Sequence, residues 1–99
     1  MYNENIKKQF LNDNKTASDK LFSFSSYYEE MYKMDLCDFN LNQYKIFITE
    51  TRNKSKEDLF EIVERINDYV EWSIRKGIKL NNINPLSILD EEWMEDFFK

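Results

Sequence analysis

The chain has 99 residues and a net charge of −5, from 14 Lys and Arg against 19 Asp and Glu. That length suits a single domain, and 41% apolar with 16% aromatic residues supply the core that a disordered chain lacks. One Gly and one Pro exclude a turn-rich all-β domain, and the absence of His removes the commonest metal ligand and general base.

The first predicted helix runs from about Asn3 to Asp13, with Ile6, Phe10 and Leu11 on one side. Asn12-Asp13-Asn14 reads as a stop, and Thr16 or Ser18 can cap the next helix by accepting a first-turn N–H. That second helix is expected to reach Met34. Leu21, Phe24, Tyr28 and Met31 form its apolar stripe, widened by Phe22, Tyr27 and Tyr32. Asp35 to Asn40 is a short connection anchored by Leu36 and Phe39. A third helix, capped by Asn40 or Asn42, carries Leu41, Tyr44 and Ile48 inward and ends near Thr51. Arg52-Asn53-Lys54 reads as a polar turn, and Ser55 as the start of a long helix with Glu57 and Asp58 in its first turn. Leu59, Ile62, Val63, Ile66, Val70 and Ser73 trace its buried face, with Trp72 and Ile74 on the flanks. Arg75, Lys76 and Gly77 form its stop signal. A connector over 78–86 holds the lone Pro85, and Asp90 can cap a last short helix bearing Trp93, Met94, Phe97 and Phe98. The fold class is therefore all-α, a compact four- to five-helix bundle spanning residues 1–99 as one domain.

Little here is arranged for catalysis. The acids at 90–96 lie on several sides of a short helix and lack the central Gly of a calcium loop, so they read as a solvated helix start. Cys37 has no His to activate it and reads as a small buried hydrophobe; Ser18, Ser25, Ser26 and Ser55 meet the same objection as nucleophiles. A single Cys also excludes a disulfide framework and fits a reducing, cytoplasmic setting. No apolar run nears the roughly 20 residues of a membrane span, and the first 13 residues are too polar for a signal peptide. No cofactor, metal or membrane partner is expected. Tyr27, Tyr28, Met31, Tyr32 and Met34 read as core rather than as a binding groove.

Charge is uneven along the chain. Residues 85–99 carry −4, whereas 44–84 carry +1, with Lys45, Arg52, Lys54 and Lys56 close together and Arg65 further along. Lys7, Lys8, Lys15 and Lys20 lie near the first interhelix turn. Such clusters are what phosphate contact requires, although Glu57, Asp58, Glu61, Glu64 and Asp68 line the same long helix.

The order of features carries more than any one motif. Phe10-Leu11 ends an entry helix, Tyr28-Glu29-Glu30 sits in the second, and Lys33 to Leu36 and Asp38 to Asn40 follow. The long helix holds Ile66-Asn67-Asp68-Tyr69-Val70-Glu71-Trp72, then come Gly77 and Asn84-Pro85-Leu86. Over residues 5–89 this succession resembles the N-terminal core-binding domain of phage integrases, the tyrosine recombinases, with its SAM-like helical bundle. The resemblance implies a domain that packs on one side of double-stranded DNA while a C-terminal catalytic domain closes the clamp. The catalytic Arg, Lys, His-x-x-Arg and Tyr belong to that second domain, so the chain is expected to be a fragment of a longer recombinase and not itself an enzyme. The family's DNA-approaching positions, at the start of the second helix and on the long helix, correspond to Lys15, Thr16, Lys20, Lys54, Ser55, Lys56 and Arg65. The resemblance also covers a recombinase-like phage repressor that binds without cutting. The alternative from another class is an acidic protein-interaction domain that self-associates through Trp93, Met94, Phe97 and Phe98.

Overall fold

The computed structural model describes residues 2–15, 17, 19–55, 59–79 and 83–88. It contains α1 (Glu4–Asp13), α2 (Lys20–Tyr32), α3 (Leu41–Ser55) and α4 (Leu59–Arg75), with 3₁₀ turns at Leu36–Asp38 and Pro85–Ile88. No strand occurs among the described residues, and the fold is all-α. The expected caps Thr16 and Ser18, and the last helix from Asp90 with Trp93, Met94, Phe97 and Phe98, lie outside the described residues.

Helix α4 is the centre of the bundle, packing against α2, α3 and both 3₁₀ turns. Its buried residues, Leu59, Ile62, Val63, Ile66, Tyr69, Val70, Trp72 and Ser73, recur at helical spacing and form one broad face. The helix ends as its sequence predicts. Gly77 takes φ +70°, and Gly77 N donates to Ile74 O (3.1 Å) while Ile78 N donates to Ser73 O (2.9 Å). These are the paired bonds of a Schellman stop, which needs a left-handed residue at that point.

Two aromatic groups fill the interior. Phe10 of α1 meets Phe22 of α2 and Tyr69 and Trp72 of α4 edge-on, at ring separations of 5.2–5.8 Å. Tyr28 packs on Phe47, and Phe39 links Tyr32, Tyr44 and Phe47. Edge-to-face pairs set the positive ring edge against the negative face and add to the area each ring buries. The first group ties α1 to α2 and α4, and the second ties α2 to α3.

Three expectations need correction. Arg52, Asn53 and Lys54 are helical, because α3 continues to Ser55. The buried series Tyr44, Phe47, Ile48 and Thr51 anchors it, and no Gly or Pro follows to break it. Ser55 therefore ends α3 and does not begin the long helix. Met31 and Tyr27 are not core residues, being 51% and 67% exposed. The interior face of α2 instead holds Leu21, Phe22, Ser25, Tyr28 and Glu29, and the helix stops at Tyr32 rather than Met34. Lys33 closes it in the left-handed region at φ +55°.

Candidate nucleic-acid interface

The start of α2 and the first half of α4 meet around a shallow cleft of about 10 Å³ lined by Lys20, Leu21, Phe24, Thr51, Ile62 and Arg65. Leu21 and Ile62 are buried and form its floor, while Lys20 and Arg65 are exposed at its rim. A space of this size holds about one water molecule, so the cleft suits contact with a surface rather than capture of a small ligand. Exposed cations over an apolar base can meet a phosphate while their stems cover the floor.

The structure thus brings together Lys20 and Arg65, which are 45 residues apart in sequence. Lys15 is exposed in the turn after α1. Lys54 and Ser55 belong to the last turn of α3, so Ser55 cannot supply the N-terminal amides of α4. A helix C-terminus presents carbonyl groups and the negative end of the dipole, which does not favour phosphate. Thr16 and Lys56 lie outside the described residues. Glu61 and Asp68, one turn to either side of Arg65 on α4, are exposed and oppose a close anion.

The main polar assembly of the domain is not visible as such in the sequence. Lys7 is fully buried, and its Nζ donates to Glu29 Oε2 (2.5 Å), Asp35 Oδ2 (3.0 Å) and the Tyr2 carbonyl (2.6 Å). These three acceptors match the three N–H groups of an ammonium. Glu29 also accepts from Ser25 Oγ (2.6 Å) and Leu36 N (3.0 Å). Asp35 accepts from Cys37 N (3.0 Å), Tyr69 Oη (2.8 Å) and Asn3 Nδ2 (2.9 Å). The Lys7 ammonium further lies 5.4–5.7 Å from the ring centres of Tyr2, Phe22 and Tyr69. The signal for it is positional: Lys7 stands one turn before Phe10, and Glu29 one turn after Ser25, each on an inward face.

Electrostatics separate the two carboxylates. Burial pushes Glu29 above the ordinary range, and Lys7 and Ser25 pull it back only in part. Burial acts on Asp35 in the same sense, but Lys7, the Cys37 amide and Tyr69 outweigh it and hold Asp35 below its usual value. Burial likewise raises the Cys37 thiol, and Asp35 and Asp38 add to the effect. Among the described residues no group of His, Cys, Asp or Glu is placed to hold a metal ion.

The network also changes how the charge should be counted. Residues 1–84 contain 13 basic and 14 acidic side chains. One of the former and two of the latter are enclosed together, leaving 12 of each sign elsewhere in that span. The acid excess of the chain therefore does not lie on the helical bundle.

A family model, that of the MrpR N-terminal core-binding domain, matches residues 1–76. The chain belongs to this core-binding domain family. The match runs from the entry segment to one residue past α4, so it takes in all four helices of the bundle. No curated protein and no solved structure matches the chain. The resemblance of the sequence to a recombinase core-binding domain is thereby borne out, and such a domain is by itself non-catalytic. No described helix is long and apolar enough to cross a membrane.

Proposed function

We propose that this core-binding domain is the DNA-binding half of a phage-type tyrosine recombinase. It holds a core recombination site while a catalytic domain C-terminal to it carries out cleavage for integration or excision. The convergence of Lys20 and Arg65 on one cleft carries this reading, because they come from the two helices that the family resemblance assigns to DNA. Lys20, Arg65 and Lys15 hold phosphates, which positions the duplex without specifying its sequence. Lys54, Lys56 and Thr16 complete the proposed contact set, and Ser55 drops out of it because it closes α3. A recombinase-like repressor would use the same surface and differ only in lacking the catalytic set.

The test is fluorescence anisotropy of a labelled duplex across a salt series, with Lys20→Gln and Arg65→Gln beside the native chain. The native chain should bind at low salt and weaken steeply as salt rises. Each substitution should reduce the slope of log K against log salt by about 1, because one phosphate fewer is neutralised. Absence of binding at low salt, or unchanged slopes in both variants, would count against the proposal.

A further inference from the structure

Helix α1 reaches the interior through a cluster of charges that do not cancel. Lys7 of α1 faces Glu29 of α2 and Asp35 of the connection after it, and all three are withdrawn from water. Among the described residues Lys7 is the one cation paired with either carboxylate, so one positive charge stands against two negative when both acids are ionised. An unbalanced charge is costly in such a place, and one added proton removes it. The two carboxylates differ in whether they have room for it. Asp35 meets four donors, Lys7 Nζ (3.0 Å), Asn3 Nδ2 (2.9 Å), Cys37 N (3.0 Å) and Tyr69 Oη (2.8 Å). The first three have no lone pair to offer, and Tyr69 already gives its hydrogen to Asp35. Glu29 is different. Its Oε2 accepts from Lys7 Nζ and Leu36 N, while its Oε1 meets Ser25 Oγ (2.6 Å), which also lies 3.3 Å from the Phe22 carbonyl. A hydroxyl has one hydrogen and two lone pairs, so Ser25 can accept from Glu29 while donating to Phe22.

We infer that Glu29 and Ser25 form a proton-operated latch that holds α1 against the bundle. The proton comes from solvent and is bound at Glu29 Oε1. The Ser25 bond then reverses: the carboxyl donates to Ser25 Oγ, and the hydroxyl hydrogen turns to the Phe22 carbonyl. Glu29 Oε2 keeps both of its donors, so the buried partners stay engaged and Lys7 is balanced by Asp35 alone. When α1 lifts away, water reaches both acids and Glu29 returns to its ordinary value, so proton binding favours the docked helix. Burial pushes Glu29 upward in the same sense, while Asp35 is held down. The other groups around the latch do not change charge with it. Cys37 of the 3₁₀ turn, Tyr44 of α3 and Tyr69 of α4 are all pushed up by burial and stay neutral. Asp13, at the far end of α1, is held down by Trp72 and Lys76 and stays ionised in mild acid.

The experiment is amide hydrogen exchange along α1 in the whole chain, corrected for the intrinsic effect of pH on exchange. In the native chain, opening at the amides of Lys7 to Phe10 should be rarer in mild acid than at neutrality. The change should be at most about tenfold per pH unit, the limit for a single proton. Glu29→Gln imitates the protonated acid, because its amide donates to Ser25 while its oxygen accepts from Lys7 and Leu36. It should hold α1 closed at neutral pH and remove the pH dependence. Carboxyl carbon NMR shifts of the native chain should show Glu29 taking its proton above the ordinary 4.5, with Asp35 still ionised. Exchange that does not change with pH, a dependence that survives in Glu29→Gln, or Asp35 protonated first would each overturn the latch. A Glu29→Gln chain that opens more readily than the native one at neutral pH, or that fails to fold, would overturn it too and mark the Glu29 charge as a fixed structural tie to Lys7.

Discussion

Lys7 is the residue on which the interior electrostatics depend. Among the described residues it supplies the cation that faces both Glu29 and Asp35, and all three groups are withdrawn from water. Lys7→Met keeps the stem but leaves two carboxylates without it. Breaking such a buried group should cost about 3–5 kcal/mol in urea unfolding, and a loss below about 1 kcal/mol would mean that water reaches the site. The pH dependence follows from the opposed shifts. Glu29 is raised, so it contributes stability below its ordinary value of 4.5 that is lost as pH rises through the higher native value. Asp35 is lowered, so its contribution is present above 3.8 and lost as pH falls through the lower native value. Asp13, held down by the Trp72 indole and Lys76, acts in the same sense as Asp35. The melting temperature should therefore rise as mild acid protonates Glu29, then fall in stronger acid, and Glu29→Gln should flatten the rise. A monotonic decline from neutrality, shared by the variant, would contradict the assignment. None of this is legible from residue type, since Lys and Glu are ordinarily exposed. Only their place on inward faces gives it away.

Signals at the ends of elements differ in how firmly they specify structure, for physical reasons. Gly77 is legible because a left-handed stop has few alternatives to glycine. Gly77→Ala should lower stability by about 1–2 kcal/mol through the backbone alone, since no atom lies within 4 Å of the added Cβ. A loss near zero would show that the helix end relaxes. Asn40 is legible as a cap. Its Oδ1 accepts from Gln43 N (2.9 Å) while Gln43 Oε1 accepts from Asn40 N (2.8 Å). Removing it with Asn40→Ala should cost about 1 kcal/mol in denaturant unfolding. The polar run Arg52-Asn53-Lys54 misleads because exposed Lys, Arg and Asn serve equally on the outer side of a helix and in a turn. What decides it is the buried run to Thr51, which keeps α3 helical for one more turn. The same shift moves Ser55 from a helix start to a helix end and removes its reason to attract phosphate.

At the scale of the molecule, periodicity and end signals predict the helix order and the central role of the long helix. The pairing of Lys20 with Arg65 depends on tertiary packing that no local pattern specifies. Net charge is the least informative quantity. The chain carries −5, of which −4 falls in residues 85–99 and the remaining −1 equals the charge of Lys7 with Glu29 and Asp35 both ionised. The acidic composition that favours a protein-interaction domain thus leaves residues 1–84 balanced outside the buried network, so net charge does not oppose the proposed DNA contact. The catalytic half of the proposed clamp would add effective concentration, so affinity of the isolated domain is expected to be modest. The most direct test is an NMR titration of the labelled chain with a short duplex at low and at moderate salt. The account predicts amide shifts concentrated at residues 15–20 and around Arg65, spreading along α2 and shrinking as salt rises. An unperturbed spectrum at low salt, or shifts confined to the segment from Trp93 to Phe98, would contradict it.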